Sequence, residues 1–354
     1  MPASPAVVDL SPFTACGSDA LSDAARAACA EVARSLLETG VVILRDARVT
    51  EEQNNGFLEM MEEYFAQPAE AKLPDCHPEL HYQVGATPAH VELPICKSDP
   101  ACLERIAALD KENKPLPITG PDPKWRFFWR IGERPSEGGF EDLNAAPVVP
   151  KAFPQWAETM DAWGGLMLSA VTTCAHMAAI GFGLPPDAFT SRMRHGPHLL
   201  APTGSDMAKH DQVGCTLAGW HNDLNLLTIH GKSRYPGLHA WLRDGTKIAV
   251  KVPDGCLLVQ AGLQMEHLTG GAVQAGMHEV VVTEETIKAR DLWRERQRPT
   301  WRVSSTLFSH IASAQVLKPL GRFADEPTAA NYPPTTAGDQ VMSVLKKIEL
   351  ANGN

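Results

Sequence analysis

The chain has 354 residues, with 32 basic and 42 acidic side chains and a formal net charge of −10. Hydrophobic residues make up 44% and charged residues 21%, which is typical of a folded globular protein rather than a disordered one. The acidic balance, without a long run of Lys or Arg, argues against nucleic acid or an anionic membrane as the main partner. We therefore expect a small-molecule substrate; a protein partner is not indicated.

The eight cysteines are scattered, without a C-x-x-C pair or another regular spacing. The start of the chain shows neither the basic nor the apolar segment of a secretory signal peptide. In a chain of this length, scattered cysteines are typical of reduced, mostly buried thiols. The sequence therefore predicts a cytoplasmic protein.

The N-terminal residues predict a strand, a helix, a second strand and a second helix. Residues 7–10 are a short apolar run, and apolar residues then recur every three or four positions over 22–36. Gly40 stands where a helix would end in the left-handed conformation, before a buried strand at 41–44. A capping-box pattern at 50–53 predicts the start of the next helix.

Residues 66–150 are rich in Pro and Gly and predict loops and short helices laid over a core. An aromatic cluster at 125–129 lies in this stretch, and we expect it near a ligand entrance. We assign residues 1–150 to an N-terminal region of helices, strands and loops that flanks the core.

Residues 162–186 contain no Asp, Glu, Lys or Arg, so this stretch is long enough to span a bilayer. It also contains His176 and four glycines, and its flanks are Asp161 and Asp187 rather than Lys or Arg. A long buried core helix is therefore the better interpretation.

After about residue 195, short strands follow at roughly ten-residue spacing and are separated by turn signals, as in a sandwich or jelly roll. A highly charged helical segment at 283–298 interrupts them as a solvated excursion. We expect a mainly β fold with flanking helices, with its core at 151–325 and a tail carrying a short helix at 326–354. The predicted strands cover 226–229, 238–242, 247–252, 256–259, 276–282 and 301–311.

A candidate metal site begins at His221 and Asp223, just before the strand at 226–229. Residues i and i+2 of an extended segment point to the same side, so both side chains can bind one ion. Two histidines and one carboxylate leave three positions of an octahedron open, which suits Fe(II) that must bind a chelator and O₂. With thirteen histidines in the chain, however, an H-x-D tripeptide alone also fits a chance match on a loop.

The third ligand must come from a strand that folds back beside the first. His230 and His239 lie within one hairpin of the pair, which places them poorly. His267 precedes a glycine turn, whereas His278 follows that turn and opens a strand. We therefore favour His278.

The chain resembles the isopenicillin N synthase-like branch of the Fe(II)/2-oxoglutarate-dependent oxygenases. The likeness is dense over about ninety residues and scattered over most of the remainder, including the N-terminal region. The motifs that carry it are His221-Asn222-Asp223, Leu226-Leu227-Thr228, Pro236-Gly237-Leu238, Thr269-Gly270-Gly271, His278-Glu279-Val280, and Arg302-Val303-Ser304 with Phe308.

The resemblance implies a double-stranded β-helix (jelly roll) core supported by the long buried helix. It also implies a dioxygenase that hydroxylates or desaturates a small molecule with Fe(II), O₂ and 2-oxoglutarate. By this match, the metal ligands are His221, Asp223 and His278. Arg302 and Ser304 would hold a carboxylate, because a guanidinium matches a carboxylate in bidentate fashion and residue i+2 of a strand faces the same way.

The chain also departs from the family. Arg302 follows His278 later than is usual, because the 283–298 segment intervenes, and the usual Tyr-Pro-Pro before H-x-D is replaced by residues 198–202. That tyrosine often helps to bind a carboxylate, so its loss leaves open an Fe(II) oxidase that does not use 2-oxoglutarate, as in the namesake enzyme. A non-catalytic binding or scaffold protein on the same fold is the other alternative. The prime substrate is not readable; candidate pocket residues are Trp220, Asn225 and Gln260.

Overall fold

The computed structural model describes residues 4–16, 21–135, 139–348 and 350. The first three residues, part of the signal-peptide argument, and the end of the predicted tail lie outside these ranges. The strands are β1 (Val7–Asp9), β2 (Val41–Arg45), β3 (Gly85–Thr87), β4 (Trp125–Ile131), β5 (His198–Leu200), β6 (Thr203–Asp206), β7 (Thr216–Asn222), β8 (Leu227–His230), β9 (Leu238–Trp241), β10 (Lys247–Ala249), β11 (Cys256–Ala261), β12 (Met277–Val281), β13 (Trp301–Val303), β14 (Thr306–Ser309), β15 (Val316–Leu317) and β16 (Thr335–Thr336).

The α-helices are α1 (Ser11–Thr14), α2 (Asp23–Thr39), α3 (Glu51–Ala66), α4 (Ala69–Lys72), α5 (Pro100–Ala108), α6 (Trp156–Gly181), α7 (Thr190–Met193), α8 (Leu263–Leu268), α9 (Glu284–Glu295) and α10 (Ala337–Lys347). The fold is therefore sheet-rich with flanking helices, as the sequence predicts.

The helix ends follow the local sequence signals. The Ser22 side chain caps α2, and Gly40 ends that helix with φ 71°, a left-handed conformation that glycine adopts without strain. At α3, Thr50 and Gln53 form the predicted capping box, in which each side chain bonds the other residue's backbone N–H.

Two sheets build the body of the molecule. The strand order in the larger sheet is β1-β2-β11-β8-β14-β5-β4-β6-β13, with β3 paired to β4, and in the smaller sheet it is β10-β9-β12-β7. In the smaller sheet β12 is central and pairs antiparallel with both β7 and β9. This arrangement brings the predicted H-x-D strand beside the strand that carries His278.

The long apolar helix α6 is a core helix, as the sequence predicts. It packs against α2 and against strands β4, β8 and β14 of the larger sheet. The contact with α2 is so close that a Cβ at Gly181 would lie 2.2 Å from the carbonyl oxygen of Cys29. By length and composition alone, α6 could cross a membrane; among the described residues it is the one helix that could.

The prediction of loops and short helices over 66–150 is wrong for the aromatic cluster at 125–129, which forms a strand. It forms most of β4, which lies between β5 and β6 in the larger sheet and is buried from Arg126 to Ile131. The run lacks the apolar and polar alternation of a half-buried strand, because both of its faces are covered. The two arginines of β4 also make the run look exposed in the sequence, although both are buried and hydrogen-bonded. Arg126 pairs with Glu92, and Arg130 donates to backbone carbonyls.

The prediction that the cysteines are reduced is wrong for one pair. Cys96 and Cys102 form a disulfide at the start of α5, so the expectation of eight reduced thiols is wrong. The other six cysteines are free.

Helix α9 corresponds to the predicted charged segment at 283–298, but it is not a free excursion. Thr286 and Arg290 are buried, and Trp293 lies 5.1 Å from the guanidinium of Arg234. Because Arg234 lines the central cavity described below, α9 packs over residues at its edge.

Candidate metal centre

A cavity of about 360 Å³ lies between the two sheets. Both sheets contribute residues to its wall, so the cavity is a product of the fold rather than of one loop. The smaller sheet supplies Ala218, His221, Leu238, His278 and Val280; the larger sheet supplies Thr203, His230, Leu258, Arg302, Thr306 and Phe308.

The structure brings His221, Asp223 and His278 together in this cavity. His221 on β7 and His278 on β12 are direct cross-strand partners, and their ring centroids are 4.3 Å apart. Nε2 of each histidine lies 3.9 Å from Oδ1 of Asp223. One ligand atom from each residue lies within 4.8 Å of the other two, a grouping that can hold a metal ion.

Backbone carbonyls orient both imidazole rings. Nδ1 of His221 lies 2.6 Å from the carbonyl oxygen of Gly219, and Nδ1 of His278 lies 3.4 Å from that of Gly276. With Nδ1 protonated and donating, Nε2 keeps its lone pair toward Asp223. Such second hydrogen bonds are typical of metal-binding histidines.

The ionisation states suit metal binding. Burial lowers the pKa of His278 to about 3, so the free ring is neutral at physiological pH. Burial raises the pKa of Asp223, but the nearby His278 and His221 and the Thr228 hydroxyl lower it more, and the net pKa lies below its usual value. The site therefore offers a neutral imidazole at His278 and an ionised carboxylate at Asp223.

Arg302 and Ser304 line the same cavity, and Val303 between them turns into the core. Arg302 is 5% exposed, and its one hydrogen bond to the described residues runs from Nε to the carbonyl of Pro236 at 3.4 Å. No ion pair to it is found among the described residues. Burial lowers its pKa to about 10, which leaves the guanidinium charged and without a counter-ion.

Ser304 can donate toward the cavity. Its Oγ accepts from the backbone N–H of Thr203 at 3.1 Å and lies 2.7 Å from the Thr203 hydroxyl. When Thr203 is the donor in that pair, the Ser304 proton is free for a ligand.

A buried ionic cluster on another part of the wall was not predicted from the sequence. Arg126 and Lys124 both pair with Glu92, and Lys124 also pairs with Asp122. Burial raises the pKa of Glu92, but Arg126 and Lys124 lower it more, to about 2. Asp122 in turn accepts from the backbone N–H of Gly219 at 2.9 Å, just before the metal-site histidine.

A second cavity of about 90 Å³ adjoins the metal site. It shares five wall residues with the larger cavity, and α10 and residues 93–95 close its far side. The shared residues are Glu92, Arg126, His221, Asp223 and Phe308.

The structure separates the three predicted pocket residues. Asn225 lines the second cavity, although its amide nitrogen donates to the Ser309 carbonyl at 3.2 Å. Gln260 reaches the larger cavity only through His230, with 3.0 Å between Nε2 of each side chain. Trp220 points away from His221, because neighbouring strand residues face opposite sides; it packs on Trp241 and lines a separate cavity.

The rejected ligand candidates lie apart from the triad. His230 is in the cavity wall, 6.4 Å from His278 between ring centroids, and burial lowers its pKa to about 4. Nδ1 of His239 lies 3.2 Å from the Gly237 carbonyl, and Nε2 of His267 lies 3.0 Å from that of Pro333. The sequence did not predict the burial of Lys124, because a lysine is almost never fully buried unless it is paired.

The fold is shared with solved oxygenase structures, although no protein-family model and no curated protein matches the sequence. A protein from Caulobacter crescentus described as a member of the 2OG-Fe(II) oxygenase family is 20% identical, with a TM-score of 0.72 over 97% of this chain and 98% of that one. A full-length Neurospora crassa protein in complex with alpha-KG is 15% identical, with a TM-score of 0.71 over 96% and 95%. JOX2 in complex with 2OG, Fe and JA is 19% identical, with a TM-score of 0.67 over 97% and 86%.

Proposed function

We propose that this chain is a non-haem Fe(II) oxygenase that hydroxylates or desaturates a small molecule, with 2-oxoglutarate and O₂ as co-substrates. The observation that carries the proposal is the approach of two imidazoles and one carboxylate in a cavity that also holds an unpaired guanidinium. The shared fold with oxygenases crystallised with 2OG or alpha-KG supports it. The two sheets that enclose the cavity would form the double-stranded β-helix (jelly roll) core.

The donor set fits Fe(II). Two imidazole nitrogens and one carboxylate oxygen on one side of an ion leave the other side open, as non-haem iron oxygenases require. His221, Asp223 and His278 would hold the ion. When bound, Fe(II) supplies the activation of O₂ that couples decarboxylation of 2-oxoglutarate to succinate and CO₂ with oxidation of a substrate C–H bond.

Arg302 and Ser304 would bind the distal carboxylate of 2-oxoglutarate. A buried guanidinium without a counter-ion is unfavourable unless a ligand supplies the negative charge. The Arg302 fork matches a carboxylate in bidentate fashion, and the Ser304 hydroxyl can add a third hydrogen bond. These residues would orient the dianion in the cavity.

The substrate would be a small molecule. The Neurospora crassa protein with thymine and JOX2 with JA are structures of this fold with small ligands. The larger cavity, lined by both sheets, has a volume of about 360 Å³, which is in the range of small-molecule sites. The acidic balance of the chain agrees with this assignment.

The test is an anaerobic titration of metal-free protein with Fe(II) and then with 2-oxoglutarate. We expect the weak visible charge-transfer band that chelation of iron by a 2-oxo acid produces. His278→Ala should abolish the band, and Arg302→Met should raise the 2-oxoglutarate concentration needed for it. His239→Ala is the matched control, because His239 is a histidine on the adjacent strand outside the triad, and it should leave the band unchanged.

Two outcomes would contradict the proposal in different ways. Iron binding without a band, and without succinate on exposure to O₂, would favour an Fe(II) oxidase that does not use 2-oxoglutarate. Failure to bind Fe(II) would favour a non-catalytic binding protein on this fold.

A further inference from the structure

Arg126 is a buried arginine with one edge of its guanidinium unused. The side chain is 7% exposed, and its Nη1 bonds to Glu92. Its Nε and Nη2 are also buried, and neither has a hydrogen-bond partner among the described residues. Buried donors without partners are costly, so a fully folded site that leaves two of them on one group is unusual.

The surroundings hold this arginine in place. The guanidinium carbon lies 4.1 Å from the ring centroid of Phe128, a cation–π contact that fixes the plane of the group. Glu92 holds it from one side and is itself held by Lys124. Asp122 also pairs with Lys124. The two positive charges of Arg126 and Lys124 therefore balance the two negative charges of Glu92 and Asp122 within the cluster. The unused edge of Arg126 is therefore pre-organised rather than left over from a loose contact.

Arg126 stands at the junction of the two cavities. It lines both of them together with the metal-site residues His221 and Asp223. The second cavity, apart from this junction, is walled largely by apolar side chains from several parts of the chain. These include Leu93, Pro94, Ile95, Leu345 and Ile348.

We infer that Arg126 binds the carboxylate of the prime substrate, which is a small monocarboxylic acid whose apolar body occupies the second cavity. The inference rests on the proposed function, since it takes the triad as the reacting centre. Nε–H and Nη2–H form two parallel donors, and a carboxylate offers two acceptors at the matching spacing. A primary amide would set its NH₂ against one of these donors and lose that bond.

Arg126 and Arg302 therefore have separate ligands. Arg302 lies on β13 and lines only the larger cavity, whereas Arg126 lies on β4 and lines both. Strand β6 lies between these two strands, so two carboxylates, one from the co-substrate and one from the substrate, can then bind without sharing a guanidinium. Arg126 determines which substrates bind and how they are oriented.

The test uses matched probes, since the substrate itself is unidentified. Phenylacetate, benzoate and hexanoate are compared with their primary amides by calorimetric titration of the purified chain, with saturating Mn(II) and 2-oxoglutarate. We expect at least one acid to bind tenfold or more tightly than its amide. Arg126→Met should remove that preference, and Arg126→Lys, which keeps the charge without the fork, should reduce it severalfold. Circular dichroism and thermal unfolding establish that the variants are folded.

Arg302→Met separates this inference from the proposed function. It should leave the preference for the acid unchanged if Arg126 is the anchor. Loss of the preference in Arg302→Met but not in Arg126→Met would overturn the role of Arg126 while leaving the co-substrate assignment intact. Equal binding of every acid and its amide, or no binding of any acid, would also overturn it. Failure of the proposed function would appear instead as a missing charge-transfer band.

Discussion

The hydroxyl of Thr228 donates to Oδ2 of Asp223 at 2.6 Å. This hydrogen bond occupies one oxygen of the carboxylate and leaves Oδ1, the oxygen that lies 3.9 Å from both histidine Nε2 atoms, for a metal. Thr228 is fully buried on β8, which belongs to the larger sheet, whereas the two histidines belong to the smaller one. The two sheets are thus joined through the candidate ligand set.

Thr228→Val should weaken metal binding about tenfold, because outer hydrogen bonds to ligands are typically worth 10–100-fold in affinity. Valine keeps the shape and removes the donor. The measurement is competition for Fe(II) or Mn(II) with a chromogenic chelator under anaerobic conditions. Thr228→Ser retains the hydroxyl and should bind within a few-fold of the wild type; equal weakening in both variants would speak for packing rather than for the hydrogen bond.

Gly181→Ala should destabilise the protein by about 2 kcal/mol, the usual scale for overpacking a close contact. A Cβ at this position would lie 2.2 Å from the Cys29 carbonyl oxygen and 2.6 Å from the Ala33 Cβ, so α2 and α6 must move apart. Gly165→Ala is a matched control on the same helix, since nothing lies within 4 Å of its added Cβ. It should stabilise by up to about 1 kcal/mol, because alanine favours a helix interior. Chemical denaturation of both variants measures the contrast.

The pairing of Glu92 should make stability depend on acid pH. The folded pKa is about 2, against 4.5 for the free side chain, so protonation favours the unfolded state. The stabilisation is present above pH 4.5 and is lost as the pH falls toward 2. Glu92→Gln should therefore cost about 3 kcal/mol at pH 7, as the size of the shift implies, and less at pH 3. A difference in the free energy of unfolding that stays constant over this range would contradict the prediction.

Reduction should destabilise the segment that closes the second cavity. Cys96 and Cys102 are six positions apart, and closing so short a loop stabilises by roughly 2 kcal/mol in the chain-entropy account. Thiol titration of the unfolded, unreduced protein should count six groups, and eight after reduction. Eight in both cases would mean that the pair is reduced in the isolated protein and would contradict the prediction.

Local sequence signals predict several helix boundaries of the N-terminal region. The left-handed Gly40 and the capping box at Thr50 each act within one turn of chain, so sequence alone predicts where α2 ends and α3 begins. The position of His278 beside the H-x-D pair was also predictable, because a strand after a glycine turn can return beside the H-x-D strand, and His278 does so opposite His221.

What could not be predicted depends on partners distant in the chain. Arg126 and Lys124 look like solvated charges until Glu92 is brought next to them, and that contact spans 32 positions or more. The same is true of β4, which is buried only because other strands cover it. The expectation that Trp220 lines the pocket rests on its nearness to His221, although a strand sends adjacent side chains to opposite faces.

The two ends of the cavity system are built by parts of the chain that can vary independently. Arg302 lies on β13 and Ser304 directly follows that strand, but part of the wall of the second cavity comes from residues 93–95 and from α10 near the end of the chain. Substitutions in these two peripheral segments would leave the triad and its strands untouched. Descendants of one ancestral gene could in this way acquire new ligands while keeping the candidate metal centre, and a laboratory library restricted to the same two segments would sample that divergence directly.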